Sequence, residues 1–249
     1  MPRVVPWGRR VLPCPPASFG SPMPSLHLHH HPLDPPSRRV RLALGEKGVA
    51  FETLLERPWA PRPDYLALDP SGAVPVLVME DESRALVLGG ADAICEYLEE
   101  TQPSPSLLGA DPAVRAEVRR LVHWFEHRMA EEVTQHLLGE KVFKRLHGSG
   151  EPNSVCLRAG YQNIHAHLDY IGWLVDHRNW LAGSELSLAD LAAAAQLSAL
   201  DYIGDVPWDQ HVSARDWYGR IKSRPAFRSL LGDRLVGLPP TGHYADVDF

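Results

Sequence analysis

The chain has 249 residues, of which 44% are hydrophobic and 22% are charged, a balance typical of a globular protein with a substantial core. Its net charge of −6 disfavours attraction to nucleic acid or to an anionic membrane. The three cysteines (Cys14, Cys95 and Cys156) are too few and too scattered for a disulfide framework, and no apolar run approaches the roughly 18 residues of a membrane span, so we expect a cytoplasmic protein with neither nucleic-acid nor membrane partners.

Residues 1–22 differ in composition from the rest of the chain. They contain six prolines, which remove backbone hydrogen-bond donors and disfavour regular elements. The unbroken apolar stretch that a signal peptide needs after its basic residues does not follow Arg9 and Arg10. We therefore expect residues 1–22 to be disordered, or to precede a true start at Met23.

Strand and helix patterns alternate between Ser25 and about Glu100. The predicted elements are strand Leu26–His29, helix Ser37–Lys47, strand Ala50–Glu56, the hairpin strands Ala73–Met79 and Arg84–Leu88, and helix Asp92–Glu99. The order β-α-β followed by β-β-α is the thioredoxin arrangement. Residues 23–105 are therefore predicted to form a thioredoxin-like α/β domain.

Residues 110–237 contain no convincing strand pattern and are predicted to form an all-α domain. Asp111 and Pro112 are a typical N-cap and first helical residue. The apolar residues that follow recur at the three- and four-residue spacing of a buried helical stripe. Three further helices are predicted over Ser154–Asp176, Ser187–Tyr202 and Ala214–Arg224.

Three local motifs, in this order along the chain, together resemble those of the cytosolic glutathione transferases. They are the first helix Ser37–Gly48, the segment Asp69–Leu77 (DPSGAVPVL) and the segment Ser187–Asp190 (SLAD). The resemblance covers residues 25–235 and implies the glutathione-transferase fold. It also implies a cis peptide bond at Val74–Pro75, with the Val74 backbone facing the cysteinyl unit of glutathione, and a buried capping box formed by Ser187 and Asp190.

The resemblance places Asp34 at the position where the family activates the glutathione thiol with a Ser, Cys or Tyr. An ionised carboxylate cannot donate a hydrogen bond to a thiolate. Two negative charges about 4 Å apart also repel each other by roughly 1–4 kcal/mol, which raises the thiol pKa. A protonated Asp34 could donate, but we expect this carboxyl to be exposed and ionised. The catalytic position is therefore predicted to be degenerate.

The family's glutamyl-binding pair, an acidic residue followed by Ser, aligns with Gly90 and Ala91. Both side-chain groups that would hold the α-amino and α-carboxylate groups of glutathione are therefore missing. Asp92 is displaced by one helical step, about 100° of rotation, so we expect it to face elsewhere and to serve as a favourable charge in the first turn. These losses predict that glutathione does not bind tightly and that the protein has no cofactor. The alternative is a glutathione-dependent transferase or isomerase with an atypical site.

The segments Pro32–Lys47 and His243–Phe249 are similar to those of alphaproteobacterial division proteins within this superfamily, which are dimers that bind the tubulin-like polymer FtsZ. This resemblance implies a non-catalytic homodimer that binds FtsZ at the division site and promotes constriction, with residues 238–249 as a partner-binding tail. It assigns partner-binding roles to the following residues: Trp59, Glu140, Leu157, Tyr244, Asp246, Asp248 and Phe249.

Each of these assignments has a structural alternative. Trp59 could cover the domain junction, Glu140 could be a solvated surface residue, and Leu157 could belong to the core or to a dimer seam. The terminal residues could be frayed.

Histidines are the remaining candidates for chemistry. They form a run in the first strand and pairs at helical spacing later in the chain (His27, His29, His30, His31, His123, His127, His165 and His167). Neither cysteines nor carboxylates complete a zinc site at local spacing, so we expect structural histidines and no metal.

Overall fold

The computed structural model describes residues 25–80 and 85–246. Its N-terminal half contains a four-stranded sheet of order β2-β1-β3-β4. The strands are β1 (Ser25–His30), β2 (Glu52–Leu55), β3 (Val76–Glu80) and β4 (Ala85–Gly89). β1 runs parallel to β2 and antiparallel to β3, which in turn pairs antiparallel with β4. The predicted thioredoxin-like sheet is confirmed, although the tip of the β3–β4 hairpin lies outside the described residues.

Three helices accompany the sheet: α1 (Pro35–Glu46), α2 (Pro63–Leu68) and α3 (Ala91–Thr101). Helix α1 begins two residues before the predicted Ser37 because Asp34 caps it and prolines are tolerated in the first turn of a helix. The short α2 was not predicted. The apolar face of α1 is buried as expected, with Val40 and Leu44 fully inaccessible to solvent.

The C-terminal half is helical, as predicted. Its elements are α4 (Pro112–His123), a π-helical continuation (Trp124–Phe143), α5 (Lys144–His147), α6 (Ser154–His177), α7 (Leu188–Tyr202), a 3₁₀ turn (Trp208–Gln210), α8 (Val212–Lys222), a second 3₁₀ turn (Pro225–Phe227) and α9 (Arg228–Leu231). The helix predicted to begin at Asp111 and Pro112 therefore continues to His147. Along its π-helical part the buried residues Phe125, Met129, Val133, Leu137 and Val142 recur every four or five positions, which fits the wider i→i+5 turn.

Helix α7 lies at the centre of the molecule, and all 15 of its residues are buried. It packs against α1, α4 and the π-helical segment, so it joins the two halves through one continuous core. Its many alanines allow neighbouring helices to approach closely, which explains why this helix is rich in small side chains.

The chain after α9 packs back onto the helical domain. The Tyr202 hydroxyl donates to the Leu238 carbonyl over 2.7 Å, and the Thr241 amide donates to the Tyr202 carbonyl over 3.0 Å. Residues 238–246 of the expected tail are therefore attached to the fold instead of frayed. Within the described ranges, no helix is both long and apolar enough to cross a lipid bilayer.

Candidate functional site

Asp34 lies in the turn between β1 and α1 and is the N-cap of α1. Its Oδ2 accepts hydrogen bonds from the Ser37 amide (2.8 Å) and the Ser37 hydroxyl (2.6 Å). The side chain is half-buried, so the expectation of an exposed carboxyl was wrong. Burial raises the pKa of Asp34 to about 6, against the opposing effect of the two bonds from Ser37. Most molecules still carry the charge at neutral pH, and the Ser37 hydroxyl beside it is occupied as a donor to Asp34.

The Val74–Pro75 peptide bond is cis, as the motif predicted. The Tyr65 hydroxyl donates to the Ala73 carbonyl on one side of this turn. On the other side the Pro75 carbonyl accepts from the Gly90 amide over 2.9 Å. The turn therefore keeps the geometry that would present the Val74 backbone to a tripeptide.

Gly90 and Ala91 mark the start of α3, where a glutamyl group would be held. Gly90 has φ +85°, and Ala91 is the first helical residue. Asp92 does not simply face solvent as a first-turn charge. Its Oδ1 lies 2.6 Å from the guanidinium of the buried Arg39, which also contacts Glu126 of the helical domain over 2.9 Å. One oxygen of this carboxylate is therefore paired with Arg39, while the Asp92 side chain stays 73% exposed.

An open cleft of about 530 Å³ lies between the cis-proline turn and the start of α3. It is lined by Leu68, Asp69, Pro70, Ser71, Ala73, Val74, Val87, Gly89 and Gly90. Within the described part of the chain, this lining includes an acidic side chain and no basic one. The lining of this cleft therefore lacks the positive charges that would attract the two carboxylates of glutathione.

Arg38, one turn into α1, is fully buried and was not singled out from the sequence. Its Nε donates to the Pro32 carbonyl (2.6 Å), and one terminal nitrogen donates to both Ser198 Oγ and the Tyr244 hydroxyl (2.9 Å each). The other terminal nitrogen reaches Asp233 Oδ2 at 3.2 Å. The helix that Asp34 caps is thus tied to the C-terminal segment.

Tyr244 is inside the molecule, which corrects the expectation of an exposed partner-binding side chain. It is fully buried, its hydroxyl donates to the Leu230 carbonyl (3.1 Å), and its ring packs edge-on against Tyr202. Asp246 is exposed, as a partner-binding residue must be. Asp248 and Phe249 lie outside the described residues.

Trp59 is half-buried between the two halves of the molecule. Its ring lies 5.3 Å from that of His31, which precedes Asp34 by three residues, and 5.0 Å from that of His147 at the end of α5. Burial, and next the nearby Arg38, lower the pKa of His31 to about 4, so this contact is uncharged at neutral pH. Trp59 thus covers the domain junction and leaves part of its ring accessible.

Glu140 and Leu157 lie near each other at the far end of the π-helical segment. Glu140 is not a freely solvated residue, because its Oε2 accepts from Lys144 Nζ (2.8 Å) and from the Asn153 amide (2.7 Å). These bonds hold the loop that leads into α6. Leu157, in the first turns of α6, is half-buried and packs against the core.

Ser187 and Asp190 form the capping box that the sequence predicted at the start of α7. The carboxylate of Asp190 is fully buried and accepts from the Ser187 amide (3.0 Å) and hydroxyl (2.9 Å). It also accepts from the Leu181 amide (2.9 Å) and the Trp217 indole (3.0 Å). The box is therefore a junction of three segments as well as a local cap.

The histidines of the first strand have structural surroundings. His29 Nδ1 contacts Glu56 Oε1 at 2.8 Å, and burial, more than the neighbouring charges, lowers the pKa of His30 to about 3. Throughout residues 25–80 and 85–246, no group of three or more His, Cys, Asp or Glu side chains is arranged to hold a metal ion.

Comparison with known proteins supports the fold described above. Residues 35–101 match the sequence profile of the glutathione S-transferase N-terminal domain. A crystal structure of a glutathione S-transferase from Rhodospirillum rubrum F11 superimposes with a TM-score of 0.87 at 50% identity, covering 90% of this chain and 100% of that one. The chain belongs to the glutathione S-transferase family.

Two further matches concern one kind of glutathione S-transferase homologue. FtsZ-localized protein A of Caulobacter vibrioides is 51% identical over 222 residues, which is 89% of this chain and 97% of that protein. The solved structure of FzlA from C. crescentus superimposes with a TM-score of 0.88 at 51% identity, covering 90% of this chain and 100% of that one. Within the glutathione S-transferase family, this chain therefore resembles a protein named for its localisation with FtsZ.

Proposed function

We propose that this protein is a non-catalytic glutathione S-transferase-like scaffold that binds FtsZ filaments in the cytoplasm at the division site and promotes constriction. The observation that carries the proposal is the 51% identity to FtsZ-localized protein A along nearly the whole of both chains. Identity at this level along nearly the whole of both chains favours a shared partner.

The geometry of the degenerate site supports the non-catalytic part of the proposal. Asp34 supplies an acceptor where a donor to the thiolate is required, and its two strongest contacts are already used to cap α1. The start of α3 lacks the side chains that would grip a glutamyl group, and Asp92 is paired with Arg39. A binding role does not need these groups, whereas glutathione chemistry needs both ends of the tripeptide to be held.

A chain of contacts provides a candidate partner surface from Trp59 toward the tail. Trp59 contacts His147 at one end of the long helix. Two turns back, Lys141 Nζ bonds both the Tyr161 hydroxyl and Asp205 Oδ1, each at 2.6 Å. We call Trp59, His147, Glu140, Lys141 and Tyr161 the junction face; Asp205, which bonds Lys141 and Tyr161, is itself buried. It combines accessible aromatic rings with charged groups of both signs, the composition favoured at protein–protein interfaces.

The test is co-sedimentation with polymerised FtsZ. The wild-type protein is expected in the polymer pellet, and Asp248→Lys is expected to abolish its recovery there with the fold unchanged by circular dichroism. Asp176→Lys, which makes the same charge change at the exposed end of α6, is the matched control and should sediment like wild type. Equal recovery of wild type with and without FtsZ would refute the proposal.

A glutathione-dependent transferase or isomerase is the second candidate, and the intact cis-proline turn is the observation that favours it. Calorimetric titration with glutathione separates the two functions. The scaffold proposal expects no saturable binding up to millimolar glutathione, whereas micromolar binding would support the enzyme.

We also propose that the protein acts as a homodimer, as the resemblance to dimeric division proteins implies. Light scattering after size exclusion should then give about twice the chain mass of 27.7 kDa. A monomeric mass at micromolar concentration would contradict this part of the proposal.

A further inference from the structure

The turn formed by residues 241–246 is docked onto the helical domain at three successive points. Thr241 donates through its amide to the Tyr202 carbonyl and through its hydroxyl to the Asp201 carbonyl, both at 3.0 Å. His243 Nε2 lies 3.1 Å from a carboxylate oxygen of the buried Asp201. The Tyr244 side chain then enters the core between Tyr202 and Arg38.

The Tyr244 side chain is attached to the guanidinium of Arg38, which is fully buried. This guanidinium donates hydrogen bonds to the Pro32 carbonyl just before α1, to Ser198 in α7 and to Asp233 in the segment after α9. Its remaining contact is the Tyr244 hydroxyl, which itself donates to the Leu230 carbonyl. Because Arg38 is held from three other sides, it offers Tyr244 a donor that is already fixed in place.

Docking at Tyr244 determines where the end of the chain leaves the surface. Asp246 is exposed two residues later, and its amide donates to the His243 carbonyl over 3.0 Å. That same carbonyl accepts from Lys222 Nζ at 3.3 Å, and Asp246 acts electrostatically on Lys222. Asp246 is therefore held at a defined position near Lys222.

We propose that Arg38 and Tyr244 are positioning residues for residues 241–246, which they hold in place so that the exposed Asp246 meets the partner from a fixed position. The inference rests on the proposed function, in which that partner is FtsZ. A segment that is already ordered loses little conformational entropy when it binds. Its affinity for the partner therefore exceeds that of a free tail with the same residues.

Release of the docked turn is the direct test. In Tyr244→Ala, amide hydrogen exchange over residues 241–246 should lose its protection, and the affinity for FtsZ polymers in co-sedimentation should fall about tenfold or more. Tyr244→Phe keeps the ring and removes the hydroxyl contacts, and an intermediate loss is expected. Tyr65→Phe, which removes another buried tyrosine hydroxyl in the other domain, should bind FtsZ like wild type.

A disulfide bond can attach residue 241 to the helical domain in place of the Tyr244 side chain. A β-carbon on Gly204 would lie 3.8 Å from the Thr241 Cβ, within the 3.5–4.5 Å range of disulfides. Gly204→Cys with Thr241→Cys, introduced into Tyr244→Ala together with Cys14→Ser and Cys156→Ser, should recover most FtsZ binding when oxidised and lose it again when reduced. The reduced form of the same molecule is the control for strain at Gly204, whose φ is +76°.

The outcomes separate this inference from the proposed function. Wild type that binds FtsZ, alongside a Tyr244→Ala protein that has lost protection over residues 241–246 but binds equally well, would overturn the positioning role alone. Failure of the oxidised disulfide to recover binding, with the protection restored, would also overturn it. Wild type that does not bind FtsZ would refute both proposals.

Discussion

Arg38 and Tyr244 are 206 positions apart in the sequence, yet the guanidinium of one donates to the hydroxyl of the other over 2.9 Å in the interior. Arg38 lies one turn after Asp34 on the helix that Asp34 caps. The same helix that would present a thiol-activating group in an active glutathione S-transferase thus holds the C-terminal segment here.

Asp233 is predicted to be essential for stability. Its carboxylate contacts the guanidinium groups of Arg38 at 3.2 Å and Arg41 at 2.9 Å, and both arginines are buried. Asp233→Ala leaves two buried cations without this partner, so the free energy of unfolding should fall by about 3–5 kcal/mol. Urea denaturation measures the change. Asp209→Ala, at an exposed position, should alter it by no more than about 0.5 kcal/mol. A loss at Asp233 as small as this control would contradict the prediction.

Glu126 is predicted to make stability fall as the pH rises toward neutrality. Burial raises its pKa from 4.5 to about 7, against the attraction of Arg39. The native state therefore keeps this proton to higher pH than the unfolded chain does, and unfolding between about pH 4.5 and 7 releases it. The Glu126 contribution to the free energy of unfolding is thus present below pH 4.5 and is lost as the pH rises through 7, by up to about 3 kcal/mol.

Comparison with Glu126→Gln isolates this contribution from other titrating groups. Glutamine cannot ionise, so the variant should gain stability relative to wild type as the pH increases from 5 to 8 in urea denaturation. Glu131→Gln, at an exposed position on the same long helix, is the matched control and should track wild type across the range. A difference between Glu126→Gln and wild type that does not change with pH would show that Glu126 does not titrate in this window.

Features set by local sequence could be predicted, because their causes lie within a few residues. The capping box joins Ser187 and Asp190, three positions apart, and the cis Val74–Pro75 bond belongs to one short motif. The strand and helix order followed from hydrophobic periodicity in the same way. The assignment of Gly90 and Ala91 to the glutamyl-binding position rests on a local pattern of the same kind and stays a prediction.

Features that depend on tertiary packing could not be read from those patterns. The burial of Asp34 and its raised pKa arise from the residues folded around it, so a carboxyl between prolines was wrongly taken as exposed. The interior position of Tyr244 depends on Arg38, and such a long-range pair leaves no local trace. One signal was available: Arg38 and Arg39 directly precede Val40 on a buried face, and buried cations require distant acceptors.

Gly90 is predicted to be fixed by its backbone conformation. Its φ of +85° is disfavoured for residues with a β-carbon, although a β-carbon there would meet no atom within 4 Å. Gly90→Ala should therefore reduce the free energy of unfolding by about 1–2 kcal/mol from backbone strain alone.

Gly139 offers the matched control for this measurement. A β-carbon on Gly139 would also meet no atom within 4 Å, but this glycine lies within the long helix, where its φ is not positive. Gly139→Ala should raise the free energy of unfolding by about 0.5–1 kcal/mol, because alanine loses less backbone freedom on folding. Equal effects of the two substitutions would show that backbone conformation at Gly90 does not constrain the residue there.

Asp190 is predicted to contribute much more than an ordinary helix cap. It is fully buried and accepts from the Ser187 amide and hydroxyl, the Leu181 amide and the Trp217 indole. Asp190→Ala leaves those donors unpaired in the interior, where each costs about 1–3 kcal/mol, so we expect a loss of at least about 3 kcal/mol or failure to fold at about 37 °C. Asp111→Ala removes the exposed N-cap of α4, whose carboxylate bonds two backbone amides, and should cost about 1 kcal/mol. Thermal and urea unfolding of the two variants in parallel measure the difference. A similar loss at both positions would mean that Asp190 acts as a local cap and does not join the three segments around it.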